Sequence, residues 1–250
     1  MRGLDGKRIV VAGSASGIGA ETVRRLHAEG AQLVIGDVNE AGMNAVAAEV
    51  GVTAIPFDLT TPSSITRLID SASRQLGGLD GLVNVAADVS PEQMSRDIEV
   101  ATMDVETWQH ALNANLIGVA WAARAVIPHL VDAGGGAIVN VTSDATATGY
   151  PVPPAYAASK AGINTVTRHV AVRWGEEKIR CNAISPGPVA SEKMLAMGED
   201  YMAEMLKGTP LRRLGEPADL AASIAFLMSD DGAWVTGQVW SVNGGTLLRE

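Results

Sequence analysis

Tyr156 and Lys160 stand four residues apart in Tyr156-Ala157-Ala158-Ser159-Lys160, where an alanine-rich helical segment opens. On a helix, residues i and i+4 share a face, so phenol and ammonium can point the same way. A free phenol titrates near ~10, too high for a base at neutral pH. A fixed ammonium beside it favours the phenolate and draws that value toward the working range. The pair can therefore act as a general acid/base and its tuner. The pattern is short and common; two ordinary helix residues, with Lys160 reaching into water, would read the same. Its meaning depends on its company.

Two further groups could join such a centre. Ser143 follows the apolar run Ala137-Ile138-Val139-Asn140-Val141-Thr142, the fifth strand, and marks its C-terminal end. A turn serine would look no different there. Asn115 lies in the first half of a long helix predicted over 105–131, with Asn113 and Gly118 nearby. A buried amide in mid-helix would need hydrogen-bond partners, and plain helix packing explains it equally well. Gly134-Gly135-Gly136 ends that helix.

The elements that must position these groups alternate strand and helix. Residues 8–12, Arg-Ile-Val-Val-Ala, form a short apolar run of parallel-strand character. Gly13-Ser14-Ala15-Ser16-Gly17-Ile18-Gly19 follows, then a helical pattern over 20–29. Strand, glycine-rich turn and helix is a phosphate-binding arrangement. Glycines let the backbone approach a pyrophosphate, and the helix N-terminus offers free N–H groups and a positive dipole end. A second strand over 32–36 ends at Asp37, close to the ~20-residue offset at which an acid binds the adenosine ribose hydroxyls. An acid there repels a 2′-phosphate, and neither Ser16 nor Val38 is basic, so NAD is favoured over NADP. A helix N-cap is the alternative role for Asp37.

A helix over 41–50 leads to a third strand over 52–57, closed by Asp58. A helix over 61–76 ends at Gly77-Gly78, and a fourth strand over 79–86 carries Asn84 near its end. This alternation implies α/β architecture: one Rossmann-type, doubly wound parallel sheet with helices on both faces. Ligands on such sheets bind beyond the C-terminal strand ends. Gly13, Asp37, Asp58, Asn84 and Ser143 all fall on that edge. The stretch 88–103 is polar and reads as irregular. A helix over 217–228 and a strand over 238–242 close the chain.

No linker, repeat or charge block divides the 250 residues, and 47% apolar content is enough for one large core, so a single catalytic domain over 1–250 is expected. An apolar strand from Arg8 leaves no room for a targeting leader, and no apolar run reaches the ~20 residues of a membrane span. A net charge of −9 argues against nucleic acid and anionic membrane as partners. The one cysteine, Cys181, excludes an internal disulfide and a multi-cysteine metal site, and its apolar run reads as buried and inert. The histidines His27, His110, His129 and His169 lack ligand spacing, so no metal is expected. A cytoplasmic location follows as the default.

Taken together, the chain resembles the classical short-chain dehydrogenase/reductase family over almost its whole length. Gly13 to Gly19 matches the family's glycine motif, and Asp58-Leu59 its adenine-contacting acid and neighbour. Asn115, Ser143, Tyr156 and Lys160 match its catalytic tetrad in order and spacing. Ile179-Arg180-Cys181-Asn182-Ala183-Ile184-Ser185-Pro186-Gly187 resembles its sixth strand and Pro-Gly turn. The resemblance implies an NAD-dependent oxidoreductase that moves hydride between an alcohol and a nicotinamide. It implies that Tyr156 exchanges the hydroxyl proton, that Lys160 lowers its pKa and holds the nicotinamide ribose, and that Ser143 binds the substrate oxygen. Asn115 would hold a water in a relay behind Lys160. Val189 and Ser191 would meet the carboxamide, and Asn84, Ala86, Pro186 and Gly187 would also line the cofactor.

Three segments depart from the family pattern. Ala12 replaces a threonine before the glycine motif, Asn84-Val85-Ala86-Ala87 replaces Asn-Asn-Ala-Gly, and Asn243 replaces an aspartate. The first two leave a more apolar contact between neighbouring segments. A substrate lid is expected over about 188–212, carrying Met194, Leu195, Met197, Met202, Met205 and Leu206. Methionine suits variable apolar surfaces, which favours a bulky alicyclic, terpenoid or steroid-like alcohol; an amphipathic helix packed on the core is the plainer reading. Asp88 and Asp144 could add polar contacts near the reacting centre. The family implies a homo-oligomer, a tetramer or dimer, and the small residues Ala157, Ala158, Ala161 and Gly162 permit close helix approach. An NADPH-dependent 3-oxoacyl-thioester reductase is the alternative enzyme, disfavoured by Asp37. A non-catalytic dinucleotide-binding protein would have little use for the complete tetrad.

Overall fold

Strand β1 (Arg8–Ala12) sends Val10 and Ala12 into one core and Ile9 and Val11 into another. A strand buried on both faces must be apolar throughout, which is why the run reads as continuous rather than alternating. The computed structural model describes residues 1–148, 153–190 and 198–248. Among them β2 (Gln32–Asp37), β3 (Thr53–Pro56), β4 (Gly81–Asn84), β5 (Gly136–Val141), β6 (Ile179–Pro186) and β7 (Val239–Val242) join β1 in one parallel sheet. The strand order is β3-β2-β1-β4-β5-β6-β7. The order reverses between β1 and β4, and at such a point a crevice opens beyond the carboxyl ends of the strands.

The helices are α1 (Gly17–Ala28), α2 (Glu40–Val50), α3 (Pro62–Leu76), α4 (Pro91–Arg96), α5 (Val105–Leu112), α6 (Gly118–Asp132), α7 (Pro154–Arg173), α8 (Glu199–Lys207) and α9 (Pro217–Met228). Leu26 of α1, Met43 of α2 and Leu220 of α9 fill the core on one face of the sheet. Leu68 of α3, Val126 of α6 and Ile163 of α7 fill the other. The arrangement is the doubly wound α/β fold expected from the sequence.

Three local features differ from that expectation. The stretch 88–103 contains α4, because Ser90 caps it, accepting from Gln93 N–H at 3.4 Å, and Pro91 supplies a first-turn residue with its φ already set. Strand β4 is shorter than 79–86, pairing only over Gly81–Asn84. The long helix is continuous over Val105–Asp132 but changes register, with Asn113–Ile117 wound as π-helix between α5 and α6. Among the described residues this is the one helix long and apolar enough to cross a membrane by length and composition. Half of its most apolar window is buried in protein, however, with Val119, Ala122 and Val126 in the core.

Candidate active site

The glycine motif closes the crevice between β1 and β4. Gly13 has φ +92°, and a Cβ there would lie 2.2 Å from the Ala86 backbone nitrogen. A Cβ on Gly19 would lie 1.7 Å from the Gly13 oxygen. Neither position admits a side chain, whereas Gly17 faces open space and is needed only for its φ of +52°. Ser16 is the N-cap of α1 but makes no side-chain cap, so the N–H groups of the first turn, including Ile18, have no intrahelical acceptor and face the crevice end. A dinucleotide pyrophosphate fits this cradle: the backbone can be approached closely and the helix end is electropositive.

The acids arrive where the sequence placed them, already oriented. Asp37 Oδ2 accepts from Ala15 N–H at 2.9 Å and Oδ1 from Asn39 N–H at 2.9 Å, so this carboxylate sits against the glycine loop. Asp58 accepts from Thr60 N–H (2.8 Å), Thr60 Oγ1 (2.7 Å) and Thr61 Oγ1 (3.1 Å). Burial pushes the Asp58 carboxyl up, but these hydrogen bonds outweigh it and hold the group below its ordinary value. Leu59 is buried against the long helix at Gly118, where a Cβ would meet the Leu59 oxygen at 2.4 Å.

Asn84 reaches the expected edge, yet its side chain is only 2% exposed and donates Nδ2 to Asn140 Oδ1 at 2.8 Å. Asn140 in turn donates to Thr167 Oγ1 at 3.0 Å. The Asn84 amide nitrogen thus stitches β4 to β5 inside the core, while its buried Oδ1 has no hydrogen-bond partner among the described residues. The missing threonine hydroxyl before the glycine motif has a backbone counterpart: the Ala12 oxygen accepts from Val85 N–H (2.8 Å) and Ala86 N–H (2.9 Å) together.

Helix α7 and strand β5 bring the chemistry together. Lys160 is 2% exposed, and its Nζ donates to the Val141 oxygen at 2.9 Å, two residues before Ser143. The same Nζ lies 5.7 Å from the centroid of the Tyr156 ring. Burial lowers Lys160 to about 8. Ser143 caps a short 3₁₀ turn, accepting from Ala145 N–H at 3.1 Å, which leaves its hydroxyl hydrogen free to donate. Ser143 draws the Tyr156 phenol toward the phenolate.

The balance on Tyr156 differs from the sequence expectation. Burial raises its phenol above the ordinary value, and Ser143 supplies the opposing pull rather than Lys160. The ammonium spends its hydrogen bond on Val141 and lies over the ring instead of at the phenol oxygen.

Asn115 is fully buried in the π-helical turn. Its Oδ1 accepts from Asp88 N–H at 2.7 Å and its Nδ2 donates to the Asp88 oxygen at 3.1 Å. The side chain therefore clamps the loop after β4 to the long helix. The two extra acids are also occupied. Asp88 Oδ2 pairs with His110 Nε2 at 2.6 Å. Buried Asp144 accepts from Ser185 Oγ (2.8 Å) and Asn243 Nδ2 (2.6 Å). An aspartate at 243 would set two carboxylates together, so the third departure from the family pattern matches Asp144. Burial pushes the Cys181 thiol up to about 12, as an inert cysteine requires.

After β6, Gly187 packs against Asn243 so closely that a Cβ would fall 2.8 Å from that residue's Cβ. Val189 bridges to Gly215, and Ala190 N–H donates to the Gly215 oxygen at 2.8 Å, which anchors the root of the expected lid. Ser191, Met194, Leu195 and Met197 lie outside the described residues. Sequence reasoning missed Asp97, which is 1% exposed and accepts from the backbone N–H groups of Ala155 (3.0 Å) and Tyr156 (2.8 Å). No local pattern could have disclosed a cap supplied by a residue so distant in the chain.

Comparison with known proteins agrees with this geometry. The family model described as Enoyl-(Acyl carrier protein) reductase matches residues 12–246. The chain is 36% identical to a 7α-hydroxysteroid dehydrogenase of Bacteroides fragilis, covering 100% of this chain and 97% of that protein. It is 37% identical to a cis-4-hydroxycyclohexanecarboxylate dehydrogenase of Sinomonas cyclohexanicum, over 94% of each. A solved 7α-hydroxysteroid dehydrogenase, complexed with NADH and 7-oxo glycochenodeoxycholic acid, superposes with a TM-score of 0.89 at 32% identity, covering 97% of this chain and 95% of the other. With the glycine cradle and the Ser143–Tyr156–Lys160 cluster on one sheet edge, the chain belongs to the classical short-chain dehydrogenase/reductase family and is a nicotinamide-dependent oxidoreductase.

Proposed function

We propose that this protein is an NAD-dependent dehydrogenase of a bulky, mainly apolar secondary alcohol, of the alicyclic or steroid class. The observation that carries the reading is the meeting of Tyr156, Lys160 and Ser143 at the carboxyl ends of the strands, beside the glycine cradle. When bound, the nicotinamide supplies or takes up the hydride. Tyr156 holds the proton exchanged with the substrate hydroxyl, and Ser143 orients that oxygen. Lys160 places a positive charge behind the ring and binds the nicotinamide ribose. Asn115 acts by fixing the loop after β4, and a relay water held near it completes the path to solvent. Gly13, Ser16, Gly17, Ile18, Gly19, Asp37, Asp58, Leu59, Ala86, Pro186, Gly187, Val189 and Ser191 make up the cofactor surface.

The substrate class rests on two observations. Both named relatives are, by their names, dehydrogenases of hydroxyl groups on rings. The segment 188–212 is tied at its described start by the Val189–Gly215 bridge, and its later described part includes half-buried Met202 and Leu206 on α8. It acts as an apolar lid over the substrate within a single catalytic domain. The enzyme works in the cytoplasm as a homo-oligomer, with its net charge of −9 and lone reduced cysteine suited to that compartment. An NADPH-dependent 3-oxoacyl-thioester reductase is the second reading, since the chain is also 32% identical, over 98% of its length, to a 3-oxoacyl-[acyl-carrier-protein] reductase of Thermotoga maritima. Asp37 beside the glycine loop counts against the NADPH that such a reductase would use.

The test is nicotinamide absorbance with NAD and NADP in parallel, over alicyclic, steroid, sugar and hydroxyacyl alcohols. Turnover is expected with NAD and ring alcohols. Tyr156→Phe is expected to lose turnover by at least ~10²-fold while still binding NADH. Turnover only with NADP and hydroxyacyl thioesters would transfer the assignment to the second reading.

A further inference from the structure

Helix α7 begins in an unusual way for a helix that carries catalytic groups. Its N-cap is Pro153, which has no side-chain acceptor. Pro154 has no N–H, and Ala157 N–H finds the Pro153 oxygen at 2.9 Å. The two remaining first-turn donors, Ala155 and Tyr156, both go to the buried carboxylate of Asp97, one to each oxygen. Every orphan donor of the helix end is thereby satisfied, two of them by a charge that also opposes the positive end of the helix dipole.

Asp97 is itself held. It ends α4, where its N–H donates to the Gln93 oxygen at 3.1 Å. Gln93 is buried and donates Nε2 to the Thr107 oxygen at 3.1 Å, tying α4 to α5. Arg96 bonds Asp104 at 3.1 Å, and Asp104 caps α5 by accepting from Thr107 N–H at 2.7 Å. The excursion between β4 and α5 is thus braced on one helix and grips the first turn of another.

We propose that Asp97 is a positioning residue for the reaction: by holding the Tyr156 backbone N–H through a buried carboxylate anchored on α4, it sets where the phenol stands against Ser143. This rests on the reading of Tyr156 as the proton-exchanging group. Misplacement of a reacting group by about 1 Å can cost ~10² in rate, and the capping bonds are the contacts that fix Tyr156 at the free end of its helix.

The experiment compares wild type, D97A, D97N and Tyr156→Phe with NAD and a ring alcohol that the wild type turns over. It reads kcat, the solvent deuterium isotope effect on kcat, and the stoichiometry of NADH binding. D97A is expected to lose ~10²-fold in kcat at full NADH stoichiometry, with a larger isotope effect because proton transfer has become limiting. D97N keeps one acceptor and is expected to fall between D97A and wild type. Wild-type kcat in D97A, or a loss that follows lost NADH sites with an unchanged isotope effect, would overturn the proposal. So would failure of both variants to fold, which would assign Asp97 to the fold alone. If Tyr156→Phe retains turnover, the reading of Tyr156 fails first, whatever the Asp97 variants do.

Discussion

At the residue scale, the site turns on a lysine placed where lysines are costly. Among the described residues Lys160 has one hydrogen-bond partner, the Val141 oxygen at 2.9 Å, and its burial lowers it to about 8 from an ordinary 10.5. The unfolded chain therefore binds a proton that the folded protein lacks between those values. Stability from this group must rise as pH rises through that window, and below it the buried charge is a full cost. Comparing Lys160→Met with wild type by denaturant unfolding cancels the groups common to both. The difference is expected to move in favour of the wild type by up to about 3 kcal/mol between pH 7 and 10.5. The variant should be inactive throughout. A difference that stays flat across that range would mean that Lys160 is not carrying its charge into the core. A buried lysine of this kind fits the proposed role, in which its charge serves the ribose and lies behind the Tyr156 ring.

At the element scale, close approach of backbones shapes the proposed cofactor wall. Gly118 begins α6 where the Leu59 oxygen would lie 2.4 Å from a Cβ, so the loop carrying Asp58 and Leu59 rests directly on the long helix. Gly118→Ala must push that loop outward. A stability loss of about 1–3 kcal/mol is expected in a thermal melt, together with a weaker Kd for NADH by fluorescence titration. An unchanged Kd would remove Leu59 from the cofactor wall. Such elements were largely legible beforehand: β1, α2, α3 and α9 stand within a residue or two of where apolar runs, glycines and prolines place them. What escaped depends on partners distant in sequence. Helix α4 hides in a polar stretch, Asn115 in the π turn is tied to the Asp88 backbone, and the Asn84–Asn140 bond joins residues far apart in the chain. Gly162, one of the small residues that permit close helix approach, uses that space inside the protein, where a Cβ would meet the Leu116 side chain at 2.7 Å.

At the scale of the whole molecule, α7 joins the active site to the outer surface. Its inner face carries Tyr156 and Lys160, while Ala158, Ala161, Thr165 and Val172 form an exposed stripe at helical spacing on the opposite face, with Val172 85% exposed. Small residues at the upper end of that stripe let a second helix approach closely, and the proposed homo-oligomer would cover it with the same stripe of another copy, an isologous contact. Ala161→Arg adds bulk and charge at its centre without touching the inner face. In sedimentation velocity the wild type is expected at a multiple of 25.9 kDa and the variant at one protomer. Turnover should fall with the mass, because the helix carrying Tyr156 and Lys160 would then be braced from its inner side alone, by the sheet, α5, α6, the π turn and Asp97. A wild type sedimenting as one protomer would refute the assembly. A variant that keeps the larger mass would move the contact to another face, and fully exposed Trp234 is the residue on which to look for it next.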